Sequence, residues 1–205
     1  MIFKNIPRKK NNGGFTLIEL LVTFAIYIVI SGLVVANYRG YGATTVSENA
    51  AESIVIAIRQ AQVYGSAGKG SSGLCGVFTS LFDCRYGVSF VSPANGITIF
   101  VDKNDNKVYD AGDVMVETIA WKDKSVITGV SCFAGGFSVC STANILNLTF
   151  RRPSPDAIIN STNDMTGLSS GGYDSATITI SNGLTGIALK THTITITRAG
   201  QIAII

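Results

Sequence analysis

Proline is nearly missing from this 205-residue chain: Pro7, Pro93, Pro153 and Pro155 are its four. None falls between Pro7 and Pro93, so no proline interrupts a helix that starts after residue 14 and runs past residue 60. Charge is scarce as well, at 14% of residues, and positions 20–38 hold none in 19 consecutive residues. Histidine occurs once, as His192 in "LKTHTITIT", which leaves no histidine pair for a metal-protease helix. That residue reads as one face of a strand. No P-loop or dinucleotide fingerprint is present, and no nucleophile motif flanks any serine, so nothing in the sequence calls for an enzyme. Trp121 and the other aromatics read as core. A basic surplus for nucleic acid is absent too. The net charge is +3, but Lys4, Arg8, Lys9 and Lys10 sit in the first 14 residues with no acid, leaving 12 basic against 13 acidic side chains beyond them.

What the chain does have is apolar: 46% of residues are hydrophobic and the mean hydropathy is +0.35. Residues 15 to about 37 are apolar and numerous enough to span a bilayer as a helix, since about 20 residues at ~1.5 Å each cover the hydrocarbon core. The positive-inside rule puts the basic tail in the cytoplasm and everything after Tyr38 outside. A cleavable secretory signal competes, with an apolar core of roughly 7–15 residues and a small-residue site after it. The run here is longer, opens with Glu19 and is followed by no A-x-A site, so the ordinary signal loses.

The helical pattern continues past the apolar run. Val46, Ala50, Ile54, Ala57, Ile58, Ala61 and Tyr64 recur at three- and four-residue steps, with Glu48, Glu52, Arg59 and Gln60 on the other face. One helix over 15–64 is expected, about 75 Å long, with Gly/Ser-rich residues 65–76 ending it. Strands follow at 86–91, 97–101, 114–120, 125–130, 145–151, 176–181, 186–189, 193–198 and 202–205, most alternating with a period of two as half-buried antiparallel strands do. Asn182-Gly183 is a hairpin turn signal, and residues 152–172, with Pro153 and Pro155, read as a long loop. The expected fold is α+β: one long helix, transmembrane then amphipathic, packed on antiparallel sheet.

Cys75, Cys84, Cys132 and Cys140 allow three pairings. The local one, 75 with 84 and 132 with 140, closes two short loops in Gly-rich sequence and is suggested. Spacings this wide without a nearby histidine do not suit zinc, and an exported domain favours disulfides. Free buried cysteines are the remaining alternative.

Residues 9–21, "KKNNGGFTLIELL", combine a short basic leader, Gly14, Phe15, an acid at Glu19 and then an apolar helix. The combination closely resembles the class III signal of type IV pilins and type II secretion pseudopilins. That resemblance implies a prepilin peptidase that cuts between Gly14 and Phe15 on the cytoplasmic side and methylates the new amine of Phe15. It also implies that Glu19 serves assembly. Ala36 stands where the family pattern has a proline. "YGVSF", "ITIFVDKNDNKVYDAGDVMVE", "LTFRRP" and "TITITRAGQIAI" are similar to the globular part of the GspH/FimT-type minor pilins, which pack a helix on β-sheets and carry a Gly-containing last hairpin. The implied organisation is a cytoplasmic leader at 1–14, a transmembrane and assembly half-helix at 15–38, an amphipathic half at 39–64 and a β-rich globular domain at 65–205.

A buried carboxylate such as Glu19 needs a cation, and the amine at Phe15 of a neighbouring subunit is one; the plainer alternative is a residue snorkelling at the membrane edge. Asp102, Asn104, Asn106, Asp110 and Asp113, with the Val108 carbonyl, follow EF-hand ligand spacing, although Lys107 replaces the usual glycine and no helices flank the loop. Calcium is therefore one reading, and a polar hairpin connection whose Asp and Asn serve turn geometry stands ahead of it. Lys190, Arg198, Arg151 and Arg152 are scattered charges, read as solvated surface before a DNA patch. The expected protein is a minor pilin or pseudopilin, made as a single-pass inner-membrane precursor and then polymerised. Its expected partners are prepilin peptidase, other pilin subunits, an inner-membrane assembly platform and the lipid bilayer. The alternative is a binding module, a pilus-tip adhesin or DNA-uptake receptor.

Overall fold

The computed structural model describes residues 14–69, 83–140, 144–161, 172–186 and 189–205, with the side chains of all of these except 37–44. The chain divides into two compact units, Met1–Tyr41 and Gly42–Ile205. The fold class is α+β; the described residues form one long helix, α1 (Leu17–Ala67), and ten strands.

In the first unit, Leu17–Ala36 forms a segment of mean hydropathy 2.5, long and apolar enough to cross a membrane. Its large side chains, from Leu17 to Val35, stand exposed. Apolar surface gains roughly 25 cal/mol per Å² when it leaves water, so this segment is stable in lipid or against other apolar helices.

In the second unit the helix turns one face to the sheets. Ala50, Ala51, Ile54, Ala57, Ile58 and Ala61 are buried, while Glu48, Glu52 and Arg59 are exposed, which is the predicted amphipathic split. Alanine at the contact positions brings the helix axis close to the strands. The closest approach is at Gly65, where a Cβ would stand 2.5 Å from the Phe150 carbonyl oxygen. Gly65 therefore lies inside the helix as a contact residue. The expectation that the helix ends at Tyr64 is corrected, because it continues to Ala67. The stop comes at Gly68 (φ 65°), whose left-handed conformation lets the Lys69 N–H donate back to the Tyr64 carbonyl at 3.0 Å, the six-to-one bond of a Schellman cap. The Tyr86 hydroxyl donates to the Lys69 carbonyl at 2.7 Å, and the Tyr86 ring meets Tyr64 edge-on at 5.5 Å, which seals the helix end onto the sheet.

Two antiparallel five-stranded sheets cover the helix, where a single sheet is the sequence expectation. The first contains β1 (Arg85–Val91), β2 (Gly96–Asp102), β3 (Val114–Ala120), β6 (Ile145–Arg151) and β7 (Ser154–Ser161), in the order β3-β2-β1-β6-β7. The second contains β4 (Val126–Ala134), β5 (Phe137–Ser138), β8 (Ser175–Ser181), β9 (Thr191–Thr197) and β10 (Ile202–Ile204), in the order β10-β9-β8-β4-β5. Phe90, Ile99, Leu148 and Phe150 from the first sheet join Ile127, Ile178, Ile194 and Ile196 from the second around the helix face in one core. Trp121 belongs to it, with its indole N–H donating to Ser53 Oγ at 2.7 Å.

Two loop and strand expectations need correction. Part of the expected 152–172 loop is strand: β7 pairs with β6 through Leu146↔Ser161 to Thr149↔Ile158, then Arg151↔Ser154. Pro155 is tolerated there because β7 is an edge strand, where a missing N–H breaks no ladder. Residues 162–171 of that loop lie outside the described residues. The strand expected at 186–189 is absent at its described residues, Gly186 and Leu189. Instead β8 pairs with β9 from Ser181↔Thr191 onward, and Asn182 closes the connection by accepting the N–H groups of Leu184 and Lys190 at 3.2 and 3.3 Å. Residues 187–188 lie outside the described set.

Replacing Gly65 with Ala should lower stability by about 1–3 kcal/mol, because the added methyl meets backbone that has no free rotamer to give. Denaturant titration of the full chain in detergent reads this. Val63→Ala, at an exposed position of the same helix, should stay within about 0.5 kcal/mol of the parent.

Candidate functional site

The N-terminal segment begins with residues that are not helical. Gly14, Phe15 and Thr16 precede α1 and are exposed, with the Phe15 side chain 86% accessible. The peptide bond between Gly14 and Phe15 is thus in open, non-helical chain, the conformation that a protease cleft accepts. The helix then starts with a feature the sequence analysis missed. Thr16 Oγ1 accepts the Glu19 N–H at 3.3 Å, and Glu19 Oε2 accepts the Thr16 N–H at 3.4 Å. This is a reciprocal capping box, legible in "TLIE" as Thr-x-x-Glu before an apolar run. Glu19 therefore has a role within its own chain, capping the helix and facing its positive end.

The loop between β2 and β3 brings the six residues with EF-hand spacing into one turn. Asp102, at the end of β2, is fully buried and accepts the N–H groups of Asn106 and Lys107 at 3.2 and 2.8 Å. Asn104 Oδ1 accepts the Asn106 N–H at 3.1 Å, and Asn106 Oδ1 accepts the Val108 N–H at 2.9 Å. Asp110 accepts the Gly112 N–H at 2.6 Å and the side-chain amides of Asn104 and Asn106. Asp113 accepts the N–H groups of Lys103 and Asp110 at 2.9 and 3.0 Å. Successive Asx turns of this kind explain the alternate spacing by backbone geometry. Asp105 and Lys107 both have positive φ, 60° and 67°, and Lys107 occupies the place where the spacing has glycine. Among the described residues no group of three or more His, Cys, Asp or Glu is arranged to hold a metal ion.

Ion pairs tie this loop to the sheet. Arg85, buried at the start of β1, meets Asp105 at 2.8 Å and Asp102 at 3.5 Å. Arg151 meets Asp83 at 2.6 Å and Asp105 at 3.6 Å. Burial pushes the Asp102 carboxyl above the usual carboxylate range, and this outweighs the Lys107 N–H and the Arg85 charge that pull it down. Burial also raises Asp113. Asp110 goes the other way, held down by the Gly112 N–H and the two asparagine amides. Asp83 is held low chiefly by its hydrogen bond to Arg151.

The remaining sequence-predicted residues are distributed as follows. Cys132 and Cys140 are joined in a disulfide that links β4 to the residues after β5. Cys84 is also disulfide-bonded, and Cys75 lies outside the described residues. His192 sits in β9 opposite Ile180. Arg151, Arg152 and Arg198 come together around one pocket, joined by Arg85 and Lys107, which sequence reasoning did not group with them; Lys190 is not part of its wall. Only the strand pairing makes neighbours of residues so far apart in the chain.

Two outcomes follow from the ion pairs. Asp102→Ala removes the acceptor that closes the loop and weakens the pairing of buried Arg85, so it should cost about 2–4 kcal/mol by denaturant titration. The stability that Asp83 contributes is present above the ordinary Asp value of 3.8 and is lost as pH falls through its lower folded value. Asp83→Asn should therefore lower the melting temperature at pH 7 more than at pH 3.

Residues 9–36 match the family model described as the prokaryotic N-terminal methylation motif. The comparisons with curated proteins and with solved structures give no match. The matched span covers the exposed Gly14 and Phe15, the Glu19 capping box and the apolar helix that follows. The chain therefore carries a class III prepilin-type signal, the signal of type IV pilin-like and pseudopilin precursors.

Proposed function

We propose that the protein is a structural assembly subunit, a minor pilin or pseudopilin of a type IV pilus or a type II secretion pseudopilus. The observation that carries this reading is the methylation-motif match at residues 9–36, on a helix whose large apolar side chains from Leu17 to Val35 stand exposed. The precursor sits in the inner membrane with its basic leader in the cytoplasm. Prepilin peptidase hydrolyses the bond between Gly14 and Phe15 and methylates the amine so created. The subunit then leaves the bilayer for the filament, where burial of residues 15–38 among neighbouring helices replaces burial in lipid.

Glu19 has two roles in this scheme. In the precursor it caps its own helix through Thr16. In the filament, where water and lipid are excluded, it pairs with the new amine of Phe15 on a neighbouring subunit. Desolvation offsets much of that attraction, so the pair sets axial register more than it adds stability. Ile56 and Val63, exposed two turns apart on α1, supply further apolar area to a neighbour.

Mass spectrometry of the mature protein should find an N-terminus at Phe15 carrying one methyl group; a start elsewhere sinks the proposal. Glu19→Gln and Glu19→Val separate the two roles, because glutamine keeps the capping box and loses the charge. Both variants should be cleaved normally and both should be depleted from filaments at least tenfold. Normal incorporation of Glu19→Gln would leave Glu19 as a helix cap alone.

A further inference from the structure

We propose that the pocket between one end of the first sheet and the last hairpin binds a small phosphate monoester. Its volume is about 380 Å³, within the range of small-ligand sites. Five cations line it: Arg85 from the start of β1, Lys107 from the β2–β3 loop, Arg151 from the end of β6, Arg152 just after it, and Arg198 from the β9–β10 turn. Asp156 is the one acid in the wall.

Not all of these cations are spent on the fold. Arg151 is engaged by Asp83, and Arg85 uses Nε and Nη2 on Asp102 and Asp105. Arg152, Arg198 and Lys107 form no ion pair among the described residues. Arg85 Nη1 is buried with no hydrogen-bond partner. An unmet donor on a buried guanidinium costs free energy that a bound oxyanion recovers.

Three unpaired cations against one acid favour a dianion over a single carboxylate. A guanidinium also matches two phosphate oxygens at once. A terminal phosphate monoester enters a pocket of this size on one arm, whereas a backbone phosphodiester carries chain on both sides. The chemistry therefore points to a monoester and away from nucleic acid. The inference stands apart from processing at Gly14 and does not depend on it.

The test is isothermal titration calorimetry on the full chain in detergent at constant ionic strength, with inorganic phosphate, glycerol 3-phosphate, acetate and an oligonucleotide lacking terminal phosphates. Saturable binding of inorganic phosphate and glycerol 3-phosphate at one site is expected. Acetate should bind at least tenfold more weakly. The double variant Arg152→Ala, Arg198→Ala should lose at least tenfold in affinity for glycerol 3-phosphate; both side chains are exposed, and an unchanged melting temperature shows that the fold is kept. Absent phosphate binding, or equal binding by the double variant, overturns the proposal. Acetate binding as tight as phosphate would instead assign the pocket to a protein carboxylate. Oligonucleotide binding without phosphate binding would make the arginines a polyanion surface and would likewise overturn it.

Discussion

The burial of one helix face holds the second unit together. Ala50, Ala51, Ile54, Ala57, Ile58 and Ala61 present a surface that is apolar and nearly flat, because most of its side chains are single methyl groups. Such a surface lets two sheets close on the helix and share one core, with Gly65 at the point where helix backbone and the carbonyl of Phe150 almost touch. Larger residues on that face would push the sheets apart and open voids, and protein interiors pack too densely to absorb them. The Schellman cap at Gly68, the edge-on Tyr64 and Tyr86 rings and the Lys69 ammonium over Tyr64 finish the helix at the place where the sheet begins.

The same chain uses apolar surface in opposite ways in its two units. Beyond Gly42 the helix buries one apolar face internally, and its outer face carries Glu48, Glu52 and Arg59 beside the exposed Ile56 and Val63. Between Leu17 and Ala36 it is apolar all round, with every large side chain exposed. A helix of the second kind has no use within a water-soluble unit, and it is the kind a membrane precursor and a helical filament core both require. Glu19 fits this picture because its cost is deferred. Thr16 meets the carboxylate at the helix start, and in the proposed filament the neighbouring amine would meet it instead.

Electrostatics in the β-rich unit is concentrated at one end of the first sheet. Asp102, Asp105, Arg85, Arg151 and Asp83 form a chain of contacts that fastens the β2–β3 loop to the ends of β1 and β6. Asp102 is so deeply placed that burial raises its pKa in spite of a nearby arginine. The loop that carries it gains its shape from side chains accepting nearby backbone N–H groups. Its alternating Asp and Asn are explained by that geometry, in which each acceptor spares a backbone donor that the left-handed residues Asp105 and Lys107 would otherwise leave unpaired.

Features governed by local periodicity and short spacing were legible in the sequence alone. The charge-free run, the leader with Gly14, Phe15 and Glu19, the amphipathic pattern from Val46, and most strand positions all follow from residue type at fixed intervals. So does the Thr16–Glu19 capping box, which was there to be found in "TLIE". Tertiary structure decided the rest. Gly65 looks like a helix stop until the nearness of Phe150 explains it, and Pro155 argues against a strand until β7 is seen to be an edge. The division into two sheets and the gathering of Arg85, Lys107, Arg151, Arg152 and Arg198 around one pocket come from strand pairing between distant segments. Such pairing depends on which faces are buried together, and no short stretch of sequence contains that information.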